Sequence, residues 1–81
     1  MKKYTRDTFN LRDRIEGATR NSIILKGDDG EKIYCSLRVF NEIMNDPRIE
    51  FIVDVVPEHG RFRESKWVTA YLPTRLGRFG I

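Results

Sequence analysis

The sequence has one cysteine, one histidine and no long apolar run, and each shortage removes a class of protein. Cys35 has no second cysteine to pair with and no company of histidines, which excludes an internal disulfide and a cysteine-based zinc site. The fold therefore has to stand on packing, and a reducing compartment, the cytoplasm, is the expected location. A spanning helix needs roughly 20 apolar residues, and nothing here approaches that. The basic start, residues 1–7, is not followed by an apolar segment, so neither a targeting segment nor a membrane partner is expected. His59 stands next to a glycine with no serine or cysteine beside it, and no glycine-rich loop is present to cradle a phosphate. Asp28 and Asp29 are turn formers before they are metal ligands, since no further ligands complete a set. The expectation is a protein without catalysis, metal or cofactor.

At 81 residues there is room for one small domain, 1–81, with residues 1–8 and 74–81 expected as flexible ends. Such a chain buries only about 60% of the surface it exposes when unfolded, so surface binding suits it better than a deep, dry cavity. The net charge of +3 conceals a segregation. Residues 1–27 carry seven basic and three acidic side chains, residues 28–58 three and eight, and residues 59–81 five and one. Ten of the fifteen cations are arginines, whose planar fork grips phosphate and stacks on bases, and this tilts the composition toward nucleic acid.

Alternation and punctuation outline the elements. Residues 21–26 and 31–37 are two β-rich runs around Gly27, Asp28, Asp29 and Gly30, a hairpin signature. Residues 38–45 place Phe40, Ile43 and Met44 on one face of a short helix that Pro47 must stop. Residues 48–56 alternate, with Ile49, Phe51, Val53 and Val55 on one face, and residues 66–72 alternate with Val68, Ala70 and Leu72 inward. Residues 9–18 fit either a short helix, through Leu11 and Ile15, or a strand with Phe9, Leu11, Asp13 and Ile15 on one face. A strand is expected, because it completes five strands with a helix between the third and fourth. The fold class is then mainly β (α+β), a small five-stranded OB-like barrel, an architecture that binds oligonucleotides on strands 2 and 3.

The middle of the chain resembles a cold-shock domain. Residues 28–40 are similar to that family's turn and third strand, with Tyr34 at the stacking aromatic and Ser36 where the family has histidine. Residues 48–56 and 67–70 are similar to its last two strands, and bacterial initiation-factor barrels share the order. Where the family's second strand is rich in glycine and phenylalanine, this chain has residues 20–25, with Ser22 and Ile24 at the outward aromatic positions. The resemblance implies a surface that meets single-stranded nucleic acid, RNA rather than DNA.

Alternation supplies a site without the family. Inward Ile33, Cys35 and Leu37 turn Lys32, Tyr34 and Ser36 outward, and inward Val68, Ala70 and Leu72 turn out Lys66 or Trp67, with Thr69 and Tyr71. Since strands 3 and 5 are neighbours in an OB barrel, Tyr34, Trp67 and Tyr71 line one surface with Lys26, Lys32 and Lys66 nearby for phosphates. The loop with Arg61, Phe62 and Arg63 interleaves cations with a ring and is expected to close over a bound strand. The plainer reading has Trp67 or Tyr71 capping the barrel end over Leu11 or Phe9.

A different class competes. Outward Ile24, Ile52 and Val56 form an apolar set beside the acidic stretch, as in a small interaction module, of the kind phages often encode, that binds and inhibits or modulates a larger protein or ribonucleoprotein machine. The same patch serves a homo-oligomer, so a monomer or weak homodimer is expected.

Overall fold

The computed structural model describes residues 2–57 and 64–71, the side chain of Tyr71 excepted. Five strands form one sheet in the order β1-β2-β3-β5-β4: β1 is Ile15–Ala18, β2 Ser22–Lys26, β3 Lys32–Ser36, β4 Glu50–Pro57 and β5 Glu64–Tyr71. Neighbours are antiparallel except β3 and β5, which run parallel. A helix, α2 (Leu37–Asn45), lies between β3 and β4, and a one-turn helix, α1 (Arg6–Phe9), precedes the sheet. The expected mainly β class, the five strands and the neighbouring third and fifth strands are all present.

The β2–β3 hairpin pairs Ser22 with Ser36 through to Lys26 with Lys32, and Gly30 takes the turn's positive φ of 82°. Ser36 ends β3 and caps α2, its hydroxyl accepting the Val39 N–H at 3.2 Å. The helix then buries Ile43 and packs Val39, Phe40 and Met44 against the core. It stops at Asp46, whose carboxylate accepts the Arg48 backbone N–H at 2.9 Å while Pro47 prevents continuation. The core itself gathers Leu25, Ile33, Cys35, Ile43, Phe51 and Val68, with Phe9 and Leu11 brought in from the N-terminal arm.

That arm corrects the expected strand over residues 9–18, of which only Ile15–Ala18 is strand. The cause is local. Thr5 and Thr8 form a reciprocal capping box that starts α1, and Asn10 at φ 56° ends it; a 3-10 turn over Leu11–Arg14 follows. Phe9 and Leu11 are both buried because the chain reverses between them, whereas Asp13 and Ile15, which a strand would have put beside them, are exposed. Arg14 fixes the arrangement. Its guanidinium donates to the Phe9 carbonyl, to the Lys26 carbonyl at 3.0 Å and to Asp28 at 2.7 Å, and lies 4.2 Å from the centre of the Phe9 ring.

β1 and β4 are the sheet's two edges, and no pairing among the described residues joins them. The sheet is open where the expected barrel would close. Tyr4 instead bridges to Phe51 of β4 through two backbone hydrogen bonds of 2.8 Å, beside a cluster in which the Tyr4, Phe9 and Phe51 rings lie 4.7–5.9 Å apart. No helix among the described residues is long and apolar enough to cross a membrane.

Candidate nucleic-acid interface

Strand register builds one row of side chains straight across the outer face. Gly17 pairs with Ile24, Ile24 with Tyr34, Tyr34 with Trp67, and Trp67 with Asp54, so the row crosses all five strands. Paired residues share a face. The Tyr34 and Trp67 rings have centroids 5.3 Å apart and planes inclined by 32°. That distance is close to the spacing of about 4.8 Å between neighbouring strands, so the rings stand on the sheet and face each other in a tilted, offset stack. One face of each ring is spent on the other. The other side of Tyr34 is the side of its cross-strand partner Ile24, and the other side of Trp67 that of Asp54. Both rings are half-buried, and neither belongs to the core cluster, so Trp67 does not cap the core over Phe9 or Leu11.

Next along the hairpin, Lys26 and Lys32 are direct cross-strand partners on this same face, both exposed. Among the described residues neither ammonium has a carboxylate partner. Like charges opposed in this way cost a sheet a few tenths of a kcal/mol to about 1 kcal/mol. An anion held between them removes that cost.

Lys66 leaves the expected set. Alternation permits only one of Lys66 and Trp67 to face outward, and Lys66 falls with Val68 and Ala70 on the inner side, opposite Ile33 and Val55. There its ammonium lies 2.8 Å from Glu31, which also accepts the Asp29 backbone N–H at 2.9 Å. The Lys66 hydrogen bond holds the Glu31 carboxyl below its ordinary range, and Glu31 in turn raises Lys66. Gly27 makes room for the pair, since a Cβ there would collide with the Glu31 carboxyl group. Lys66 and Glu31 line a concavity of about 260 Å³ at this end of the sheet, with Tyr4, Phe9 and Val53.

Among the described residues, part of the acidic middle of the chain is compensated by cations. Asp28 pairs with Arg14, Glu31 with Lys66 and Asp46 with Arg48. The apolar set Ile24, Ile52 and Val56 is also broken up: Ile24 is half-buried and Ile52 only 6% exposed, leaving Val56 open at 41%. Strand parity gives the side a residue takes, and the covering of Ile52 on that side is what the parity argument missed. Ser36 shares the outer parity with Tyr34, but its hydroxyl is engaged as the α2 cap. Arg61, Phe62 and Arg63 lie outside the described residues, as does the tail after Tyr71; Tyr71 itself is placed in β5 opposite Glu50.

Asp54 was not among the expected site residues. Its signal was present in the alternation of β4, since inward Phe51, Val53 and Val55 turn Asp54 outward, but its place beside Trp67 depends on the β4–β5 register. Compared with protein-family models, curated proteins and solved structures, the chain matches none.

Proposed function

We propose that this chain binds single-stranded nucleic acid, RNA before DNA, on the outer face of β2, β3 and β5, without catalysis or cofactor. The observation that carries the reading is the Tyr34–Trp67 ring pair standing on the same face as the opposed Lys26 and Lys32, which have no carboxylate partner among the described residues. Rings accept bases of any sequence by stacking, at about 1–3 kcal/mol per base, and the lysines accept the phosphates between them. The strand order, the parallel β3–β5 pair and the helix after β3 support reading the fold as an open OB-type sheet, which presents this region to oligonucleotides. The preference for RNA rests on the likeness of the third strand to cold-shock domains.

Trp67 is the only tryptophan, so its fluorescence reports from inside the site. Titration with short single-stranded RNA should quench it. If Lys26 and Lys32 neutralise two phosphates, affinity falls roughly sevenfold between about 50 and 200 mM salt, from a single-strand slope of about −0.7 per phosphate. Tyr34→Ala and Trp67→Ala, followed by anisotropy of a labelled oligonucleotide, should each weaken binding by roughly 5- to 150-fold with the fold intact. Absence of binding at low salt, or full affinity in both variants, overturns the reading.

One observation favours a second reading, a protein-interaction module. Val55 and Val56, 45% and 41% exposed, point to opposite sides of edge strand β4, so that each side of this edge offers an apolar side chain to a partner chain that pairs with it. Co-purification of one defined large assembly, lost in Val55→Lys, supports that reading; retention in the variant counts against it.

A further inference from the structure

We infer that Asp54 makes this face selective for guanine at the base that stacks on Trp67. The inference rests on the nucleic-acid reading above and adds a base preference to it. Asp54 and Trp67 are direct partners in the antiparallel β4–β5 pair, which places their Cβ atoms about 4.5–5.5 Å apart on one face. Tyr34 occupies one side of the indole, so the side left for a base stacking on Trp67 is the one toward Asp54.

The Asp54 carboxylate is exposed, and its Oδ1 accepts the backbone N–H of Val55 at 3.0 Å. Among the described residues no cation pairs with it. Among the described residues Oδ2 and the second lone pair of Oδ1 have no partner, which leaves them for a ligand.

A carboxylate only accepts hydrogen bonds, so it selects for donors. Guanine presents two adjacent donors on its Watson–Crick edge, N1–H and the 2-amino group, at a spacing that matches the two carboxylate oxygens. Adenine and cytosine offer one amino donor next to a ring-nitrogen acceptor, and uracil offers one N–H between two carbonyls. Each of these sets a lone pair against the carboxylate. Charge-assisted, bidentate contacts are the stronger kind, and a good bidentate base contact discriminates by roughly 5- to 150-fold. The same carboxylate repels phosphate. Lys26 and Lys32 stand on β2 and β3, and β3 lies two strand spacings, about 10 Å, from Asp54. The two charges orient a nucleotide with its phosphate toward the hairpin and its Watson–Crick edge down onto the Asp54 carboxylate.

The test uses labelled RNA heptamers of uridine carrying one central G, A, C or inosine, with the all-uridine strand as reference, in about 50 mM salt. Wild-type protein should bind the G heptamer roughly 5- to 150-fold more tightly than the A, C and all-uridine strands, with inosine, which lacks the 2-amino group, falling between. Asp54→Ala and Asp54→Asn should both remove the preference, and should bind all-uridine RNA at least as tightly as wild type does, because the lost carboxylate repelled phosphate and faced a lone pair of uracil. Equal binding of the G and A heptamers by wild type, or a G preference that persists in both variants, overturns the inference and leaves the nucleic-acid reading standing. Absence of binding to every heptamer overturns both.

Discussion

The ammonium of Lys66 lies 2.8 Å from a Glu31 carboxylate oxygen, on the sheet face opposite its neighbour Trp67. The two residues come from β5 and from the turn before β3, so the contact ties the parallel β3–β5 pair at its start. Lys66 is thereby a structural cation, and Lys66→Gln should lower stability; under the proposed function it should leave the salt dependence of oligonucleotide binding unchanged.

The same pair predicts a pH dependence. Glu31 is held below its ordinary value of 4.5, chiefly by the Lys66 hydrogen bond. A carboxyl group lowered on folding contributes stability that is fully present above its unfolded value and lost as pH falls through the lowered one. Urea denaturation of wild type and Glu31→Gln should therefore differ at pH 7 and converge on acidification below 4.5. Lys66, raised above 10.5, contributes in the opposite sense, fully below 10.5 and progressively lost at more alkaline pH.

Removal of the cap of α2 by Ser36→Ala should cost about 0.5–2 kcal/mol, read by urea denaturation with circular dichroism. Ser36→Asp keeps an acceptor at the cap and should recover most of the loss. Ser36→His, which restores the residue of the cold-shock pattern, should behave like the alanine variant.

Gly30 has a positive φ of 82° and open space around its Cα. Gly30→Ala should cost about 1–2 kcal/mol from backbone conformation alone, with Gly30→Asn costing less. Because the hairpin carries Lys26 and Lys32, folded Gly30→Ala protein that keeps the turn should bind oligonucleotides as wild type does.

Cys35 is fully buried, and burial pushes its thiol up to about 12. A disulfide reagent at pH 8 should leave it unmodified in native protein and label it stoichiometrically in denaturant. Rapid native labelling would contradict its place in the core. Phe51→Ala removes a fully buried ring at a cost of about 3–5 kcal/mol, against about 4–12 kcal/mol in total for a chain of this length. Its urea midpoint should fall steeply, and its Cys35 should react faster than in wild type.

The β2–β3 hairpin, α2 and the last two strands were legible because their signals are local: alternation, a glycine turn, a 3.6-residue spacing and a proline stop. The N-terminal arm was not, because a capping box between Thr5 and Thr8 and a left-handed Asn10 outweighed a two-residue alternation that strand and reversal share. In the candidate site, the neighbouring of Tyr34 and Trp67 followed from fold order, and the outward sides of Lys26 and Lys32 from parity. Alternation left open whether Lys66 or Trp67 faces outward, and the β3–β5 and β4–β5 registers put Lys66 on the inner side. Asp54 depended on how residues 50–57 slide against 64–71, which no local pattern sets.

β4 is eight residues long and pairs along its whole length with β5, yet among the described residues only Tyr4 bonds its other side, at Phe51. An unpaired strand edge bearing exposed valines is a template for other chains of its kind. The arm around Tyr4 acts as a stopper on that template, fixed by two backbone hydrogen bonds and a ring cluster. A protease that clipped the chain between Tyr4 and α1 would leave the Tyr34–Trp67 face untouched and turn the protein into a seed for its own aggregation.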